Sequence, residues 1–428
     1  MTLPPGPVGP QHARLNAQFF QRDPLGFLSH LADSFGDVSR FDFGAGPIVF
    51  VHDADLVRSL FRFHEADLIK PEFLRASNAA HWGDGLTTLD DPGIWHSRRQ
   101  LLLPLFRARL RAPRLALAAE LADETCARWA DGEQIDLTHE LRILTARIAL
   151  RTVLDADLED FCDDQKLSGL VPFSEGYGED FTTAIDGATG VMQMTRPRAS
   201  RRMDGVLSII HARFDDPSDR GDVLSALVNA HRADPEALSV QDVIGEIIQM
   251  LFAGHLTIPF ALTQLWRDIA QHGLDSQVTG EATADDGLLR REMTIPVTSR
   301  TMAILRESMR LGPPAPILYR DVARGFQLGK HSMVEGHGIW VSPGLLHRDS
   351  RYFVQPAAFR PERFATGRLP PVSAKAYMPF GAGPRVCIAA SQSVSQMVAI
   401  CHAIARKFRL EPVSGVGNQF EVWRRPVI

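Results

Sequence analysis

The chain has 428 residues and a net charge of −5, with 45% hydrophobic and 23% charged residues. This balance is typical of a globular protein with a substantial core, and the acidic charge gives no reason to expect nucleic acid as a partner. The four cysteines are widely spaced, without a CxxC pair or a Cys/His cluster, which argues against a zinc site and a disulfide scaffold.

The N-terminal segment is rich in proline and glycine and contains no apolar run suited to a signal peptide. We therefore expect a soluble, cytoplasmic protein with no membrane anchor. The run at 46–53 predicts a strand, and residues from about 95 to 310 show mostly helical spacing. The segment Val240–His272 is apolar around most of its circumference, which is typical of a helix through a large core. Gly254 and Pro259 interrupt it, so it is either one kinked helix or two pieces.

The predicted secondary structure changes from long helices to short strands after Arg310. Glycine and prolines at 312–316 break the helix, and strand-like runs follow at 317–319 and 338–341. A last helix is predicted at about 388–407. No repeat, linker or low-complexity tract divides the chain, so a single domain is the better interpretation.

The segment from Phe380 to Ala389 carries the strongest chemical signal. Gly381 and Gly383 permit a tight turn with unusual backbone angles, and Cys387 follows at the start of the last predicted helix. A thiolate there would be stabilised by the helix N-terminus and by nearby backbone N–H groups. The alternative is a buried structural cysteine; a phosphate loop is disfavoured because no Lys-Ser/Thr follows the glycines.

This loop resembles that of cytochromes P450, which reads Phe-x-x-Gly-x-x-x-Cys-x-Gly. Phe380, Gly383 and Cys387 are in register with it, and Ala389 replaces the last glycine. The resemblance implies haem b as the cofactor and Cys387 as the axial thiolate ligand of its iron. It also implies that Phe380, Gly381 and Ala389 lie against the cofactor.

Two further segments resemble the same family. Glu307 and Arg310 match its Glu-x-x-Arg motif, and 359–364 matches Phe-x-Pro-x-Arg-Phe. By this resemblance Arg363 joins the pair in a buried network that braces the cysteine loop. The tripeptide 347–349, His-Arg-Asp, precedes that segment as in the family; no glycine-rich loop or Asp-Phe-Gly supports a kinase.

Four side chains match family positions that bind the haem propionates. Trp95 and Arg99 are four residues apart and share a helical face. Arg320 follows the proline-rich break, and Arg385 lies in the cysteine loop. His96 is a weaker candidate. Each arginine alone could be a solvated charge, but their agreement with the other motifs favours the propionate role.

The central helix departs from the family pattern Ala-Gly-x-(Asp or Glu)-Thr. Ala253, Gly254 and Thr257 are present and are predicted to be catalytic, but Leu256 replaces the acid. In the family, the acid and the threonine relay the protons needed to cleave dioxygen, and leucine cannot do so. His255 points about 100° away from Leu256 around the helix, so we interpret it as structural.

The missing acid leaves three functions open. We favour monooxygenation of a small to medium organic metabolite in specialised metabolism, with the acid replaced by a substrate group or by water that relays protons through Thr257. A non-standard reaction is the alternative: cyclisation, rearrangement, or nitrene or oxygen-atom transfer from a substrate with a pre-activated N–O or O–O bond. The third is a non-catalytic haem-binding or partner-stabilising protein, which the retention of Cys387 and Thr257 argues against.

The resemblance implies a mainly α fold with small β-sheets. We expect one cytochrome P450 domain over residues 1–428. Its β-richer parts would lie at about 30–60 and 315–345, its helical core at about 95–312 and its haem-thiolate loop at 380–389.

The family resemblance also places the small-molecule substrate. Its pocket would be lined by the central helix and by 73–89, 171–194, 315–318 and 415–420, with 173–194 as a candidate lid. No flavin or ferredoxin module is present in the chain. Electrons would therefore come from a separate ferredoxin with its reductase or from a flavodoxin-type donor. Candidates for a basic docking surface are Arg98, Arg107, Arg109 and Arg111.

Overall fold

We describe a computed structural model of the chain. It covers residues 2–72, 74–75, 85–106, 108–157, 184–185, 192–193, 204–284, 298–414 and 418–425.

Helices account for most of the described residues. The α-helices are α1 (Pro10–Arg22), α2 (Pro24–Phe35), α3 (Ala54–Phe63), α4 (Pro92–Leu102), α5 (Ala108–Ala127), α6 (Leu137–Leu154), α7 (Asp204–Asp215), α8 (Val223–Ala233), α9 (Val240–Gln271), α10 (Asp275–Ala284), α11 (Arg300–Leu311), α12 (Pro343–Leu346), α13 (Pro371–Ala376) and α14 (Ala390–Lys407). Short 3-10 helices span Glu65–Asp67, Leu103–Phe106 and Pro361–Phe364.

The strands are short and form small sheets. They are β1 (Val38–Asp42), β2 (Pro47–Val51), β3 (Leu68–Ile69), β4 (Glu133–Asp136), β5 (Ala184–Ile185), β6 (Met192–Gln193), β7 (Leu318–Val322), β8 (Phe326–Leu328), β9 (His331–Met333), β10 (Gly338–Val341), β11 (Phe408–Pro412) and β12 (Gln419–Arg424). The strands and last helix predicted from the sequence are found as β2, β7, β10 and α14, within a few residues of the expected bounds. The single domain stays a prediction.

The central helix α9 starts at a capping box. The Asp242 N–H donates to Ser239 Oγ at 3.2 Å, and the Ser239 N–H donates to Asp242 Oδ2 at 2.9 Å. The helix then runs without a break through Gly254 and Pro259, so the two-piece alternative is wrong. It is long and apolar enough to cross a membrane, but 67% of its most apolar window is buried inside the protein, as expected of a core helix.

Two hydrophobic clusters pack along α9. Its C-terminal half contributes the fully buried Leu262, Leu265 and Trp266 to a cluster with α5, α6 and α14. Its N-terminal half contributes Leu251 and Phe252 to a cluster with α6, α7 and α8. Burying a side chain of this size stabilises the fold by about 1.5–3 kcal/mol each, so α9 is fixed along its length.

The largest sheet has the strand order β1-β2-β10-β7-β3. Only β2 and β10 run parallel in it; the other neighbours are antiparallel. At its edge Leu68 pairs with Val322 and Ile69 with Asp321. This pairing brings the segment that begins at Glu65 next to Arg320, although the two are far apart in sequence.

Candidate active site

The loop before α14 is a tight turn that depends on glycine. Gly381 and Gly383 have φ values of +78° and +72°, in the left-handed region, so the predicted tight turn with unusual backbone angles is present. A Cβ on Gly383 would lie 2.4 Å from the Phe61 carbonyl oxygen, so no larger residue fits. The Cys387 N–H donates to the Phe380 carbonyl at 3.0 Å and closes the loop.

Cys387 differs from the other described cysteines in exposure. It is accessible, whereas Cys126 and Cys401 are buried; Cys162 lies outside the described residues. Burial raises the pKa of Cys126 to about 12 and raises that of Cys401 as well. Of these three thiols, Cys387 is therefore the one available to an external ligand.

The environment of the Cys387 sulfur partly offsets its desolvation. The surrounding protein atoms raise the pKa of the thiol, while the N–H groups of Ala389 and Ala390 and the charge of Arg99 lower it. Ala389 has φ −93° and ψ 4°, so this position does not need the left-handed backbone that favours glycine, and alanine can replace the family glycine.

Helix α4 supports the cysteine loop through Arg99. Its Nη2 donates to the Val386 carbonyl at 2.9 Å, and its guanidinium lies 5.4 Å from the centre of the Trp95 ring. The Trp95 indole N–H donates to the Leu86 carbonyl at 3.2 Å. Arg99 therefore holds the loop, and Trp95 provides a ring face for cations; propionate contacts of either stay predictions.

Arg385 and Arg320 come together around one carboxylate. Arg385 Nε lies 2.7 Å from Glu65 Oε1, and Arg320 Nε lies 3.8 Å from the same oxygen. Arg385 also stacks 4.7 Å from the centre of the Trp95 ring and donates to the Leu89 carbonyl at 2.8 Å. These contacts join α4, β7 and the cysteine loop in one cationic cluster.

The central helix has an accessible stripe of three side chains. Ala253, Thr257 and Phe260 are exposed on one face of an otherwise mostly buried helix, with Phe260 at 52%. The Thr257 hydroxyl donates to the Ala253 carbonyl at 3.3 Å. A Cβ on Gly254 would make an ordinary 3.6 Å contact with Ala149, so packing alone does not require glycine there.

These residues fit a haem with an axial thiolate. The accessible Cys387 sulfur has backbone N–H donors, as a thiolate ligand needs. Arg320 Nε is buried without a hydrogen-bond partner among the described residues, so a donor is available for a carboxylate. Ile388, beside Cys387, packs against the cluster that contains Leu251 and Phe252 of α9, so the loop and the central helix flank one region.

The family model for cytochrome P450 matches residues 4–422. The chain belongs to the cytochrome P450 family. It is similar to cyclooctatin synthase of Streptomyces melanosporofaciens, with 29% identity over 94% of this chain and 88% of the relative. It is also similar to cyclooctat-9-en-7-ol 5-monooxygenase of the same organism, with 28% identity over 74% of this chain and 71% of the relative.

The fold is that of a solved P450 from Thermus thermophilus. The TM-score is 0.68 at 20% identity, over 94% of this chain and 99% of that structure. The mainly α fold with small sheets is thus confirmed. As a P450, this chain is a haem-thiolate oxidoreductase that acts on a small molecule and receives electrons from a redox partner. Its haem b, ligated by a cysteine thiolate, supplies the oxygen-activating chemistry.

The P450 network on α11 is fully buried at its centre. Glu307 is 0% exposed and accepts from Arg310 Nε at 2.7 Å and from Arg310 Nη2 at 2.8 Å. Arg363 Nε donates to Glu307 Oε1 at 3.3 Å, and the Arg360 backbone N–H donates at 2.7 Å. The predicted association of these three side chains is confirmed.

His347 connects this network to the cysteine loop. The Met378 N–H donates to His347 Nε2 at 2.9 Å, so Nδ1 carries the proton and donates to the Arg310 carbonyl at 3.0 Å. Burial lowers the pKa of His347 to about 3, so the ring stays neutral. The Gly381 N–H in turn donates to the Met378 carbonyl. The family-like His-Arg-Asp tripeptide was the available signal for this role, which the sequence interpretation missed.

His255 is a buried structural residue, as predicted. It is 1% exposed, its Nδ1 lies 2.6 Å from the Leu251 carbonyl, and its ring contacts Phe252. Burial lowers the pKa of His255 to about 4, so it is neutral near pH 7. Leu256 packs against the cluster between α6 and α9. Neither side chain replaces the family acid.

Arg98 does not lie on a basic docking surface, and that prediction is wrong. It is 4% exposed, with Nη1 3.1 Å from Glu246 Oε1 and Nη2 3.2 Å from Asp242 Oδ1. A buried arginine needs such partners, and they come from α9. Arg107 and the side chains of Arg109 and Arg111 lie outside the described residues.

The 85–89 segment of the predicted pocket is fastened to α9. Gln249 Oε1 accepts from the Thr87 N–H at 3.0 Å and the Thr87 hydroxyl at 2.5 Å, and Gln249 Nε2 donates to Thr88 Oγ1 at 2.9 Å. The Leu86 N–H donates to Glu246. Of the other predicted pocket segments, 315–318 and 418–420 lie within the described residues, whereas 76–84, 415–417 and most of the candidate lid do not.

Sequence reasoning also missed Glu65 and Lys70. Burial raises the pKa of Glu65, and burial together with Arg320 and Arg385 lowers the pKa of Lys70 to about 7. No motif marks either residue. The pairing of β3 with β7 brings them to Arg320, so only the tertiary structure could find them.

Proposed function

We propose that this P450 hydroxylates a polycyclic terpene-type hydrocarbon or alcohol in specialised metabolism. The observation that carries the proposal is the similarity to two Streptomyces enzymes named for cyclooctatin and cyclooctat-9-en-7-ol. The accessible stripe on α9 supports it, because Ala253 and Phe260 are apolar and Thr257 adds a single hydroxyl. Such a surface suits an apolar substrate that is positioned by shape.

The site residues have separate roles in this proposal. Cys387 ligates the iron, while Phe380, Gly381 and Ala389 shape the loop around the sulfur.

Arg320, Arg385 and Arg99 supply positive charge for the propionates, and the Trp95 ring packs against Arg99 and Arg385. Thr257 holds a proton or water beside the substrate, and the small side chain of Ala253 leaves room next to it. A side chain at Gly254 would face Ala149 of α6, so its predicted catalytic role would be indirect.

We propose a separate ferredoxin or flavodoxin-type protein as the electron donor, and a cytoplasmic location. Family membership implies a redox partner in general. The most apolar part of α9 is mostly buried in the core, as in globular proteins.

Turnover with isotopically labelled dioxygen tests this function. The purified holoenzyme, a surrogate ferredoxin and its reductase are mixed with a panel of terpene hydrocarbons, terpene alcohols and planar aromatic compounds. We expect a high-spin shift and a product carrying one labelled oxygen for a terpene. Labelled products from aromatic compounds alone would refute the substrate class. Reducible haem without any product would favour the non-catalytic alternative.

A non-standard P450 reaction is the second candidate. Leu256 stands at the acid position, and burial keeps neighbouring His255 neutral by lowering its pKa to about 4. Protons for dioxygen cleavage therefore have no titratable side chain at these two positions. A product isomeric with its substrate, formed without incorporation of labelled oxygen, would favour this candidate over monooxygenation.

A further inference from the structure

Glu65 is a carboxylate placed among the cations proposed to receive the haem propionates. Its Oε1 lies 2.7 Å from Arg385 Nε and 3.8 Å from Arg320 Nε, and its side chain is only 12% exposed. Its second oxygen, Oε2, is buried without a hydrogen-bond partner among the described residues, as is Arg320 Nε. The arginines are thus engaged by Glu65 and still retain donor capacity.

The charges around Glu65 come from four segments. Lys70 follows β3, Arg320 lies on β7, Arg385 lies in the cysteine loop, and Asp90 precedes α4; all four interact with one another electrostatically. Asp90 also lies 3.1 Å from Arg75 Nε. A propionate that binds the two arginines must therefore share them with a protein carboxylate in a desolvated region.

We propose that Glu65 shares Arg320 and Arg385 with a haem propionate and thereby lowers the reduction potential of the haem. The inference rests on the proposed role of these arginines. A negative charge near the haem stabilises the ferric state, which is more positive than the ferrous state, and burial weakens the screening of this effect. Glu65 is a positioning residue, because it acts on the haem through the arginines.

The Glu65→Gln variant tests the proposal by spectroelectrochemical titration of the holoenzyme. Removing the charge should shift the reduction equilibrium roughly tenfold toward the ferrous state, or ~59 mV for one electron. Glu72→Gln is the control, because the Glu72 side chain is 73% exposed and paired with Arg75. Its midpoint potential should stay at the wild-type value.

The outcomes separate this inference from the proposed function. Haem uptake and the red-shifted ferrous carbon monoxide band report thiolate ligation. If these are normal and Glu65→Gln leaves the potential unchanged, the inference is wrong while the function stands. If wild-type protein shows no thiolate band, the function itself fails. If Glu65→Gln does not bind haem, Glu65→Asp and Glu65→Asn provide a second pair of equal size that differs only in the negative charge. Equal midpoint potentials in these two variants would overturn the inference.

Discussion

At the scale of single residues, proton supply is the unusual feature of this P450. Thr257 offers a hydroxyl on the accessible stripe of α9, but the adjacent Leu256 packs into the cluster with α6, and His255 is buried and neutral. An acid at position 256 would leave this apolar contact or be desolvated in it. The helix therefore favours packing at a position where the family places proton transfer.

Replacing Leu256 by glutamate should restore a titratable group beside Thr257. If proton delivery limits the wild-type enzyme, we expect Leu256→Glu to raise the product formed per electron consumed several-fold, which is less than the roughly 10²–10⁴-fold contribution of a fully positioned acid. Leu256→Gln has a similar size but no proton to give, and should not raise it. Equal coupling in wild type and Leu256→Glu would mean that another proton route serves the enzyme.

A second residue with unusual charge behaviour is Glu246. Burial raises its pKa from 4.5 to about 7, against the Leu86 N–H and Arg98, which lower it. Between these two pH values the folded state binds more protons than the unfolded state, so the free energy of unfolding falls as pH rises. As pH rises from 5 to 8, the free energy of unfolding of Glu246→Gln should increase relative to that of wild type by up to about 3 kcal/mol, as measured by urea denaturation.

Asp242→Asn is the matched control for that pH series. Asp242 also pairs with Arg98, but its pKa is lowered from 3.8, so its contribution to stability is lost only as pH falls below that range. Asp242 also raises the pKa of Glu246, but it is the weakest of the causes of that shift, so the Asn variant should change the pH slope between pH 5 and pH 8 much less than Glu246→Gln does. Equal pH slopes in the two variants, or none in Glu246→Gln, would contradict the assignment.

At the scale of elements, tight turns and hydrogen bonds between distant segments position the site. The 85–89 segment joins α9 through Gln249 and joins the cationic cluster through the Leu89 carbonyl, which accepts from Arg385. A Cβ on Gly85 would lie 2.7 Å from Gln249 Cδ, so the chain passes directly against this amide. Gln249 thus fixes the 85–89 segment, part of the predicted pocket wall, relative to the cysteine loop.

Gln249→Leu should release that wall without removing much volume. Three hydrogen bonds are lost, each worth about 1 kcal/mol, and the Thr87 amide loses its acceptor. We expect the Thr87 amide hydrogen to exchange faster by at least tenfold while exchange in the middle of α9 is unchanged. Gln100→Leu on the exposed face of α4 is the control. Equal protection of the Thr87 amide from exchange in both variants would show that Gln249 does not hold the 85–89 segment.

The sequence could predict the cysteine loop, the Glu307 network and the long helix, because each is a local motif or a periodic pattern. Arg98 was misplaced because arginines are usually exposed. Its spacing from Trp95 and Leu102, which are buried on the same face of α4, was a signal for burial. Gln249, like Glu65, has its partners in distant segments, which no local pattern reveals.

At the scale of the whole molecule, one buried ionic network connects α11 with the segment before the cysteine loop. Arg310 spans it, binding Glu307 and donating to the carbonyls of His347, Pro356 and Ala358. His347 continues the connection to the loop through Met378. The position of the thiolate therefore depends on contacts far from it in sequence.

Glu307→Gln should destabilise the holoenzyme strongly, because it leaves the fully buried Arg310 without a compensating charge, at a cost of about 3–5 kcal/mol. Arg363→Gln removes one partly exposed partner, with an 11% exposed side chain, and leaves the Glu307–Arg310 pair intact. We expect it to cost about 1 kcal/mol, as for a single hydrogen bond. Urea denaturation with haem absorbance as a second probe measures both variants. If the network braces the cysteine loop, the thiolate absorbance band of Glu307→Gln should be lost at a lower urea concentration than its helix signal. If the two transitions coincide, the network contributes only to global stability.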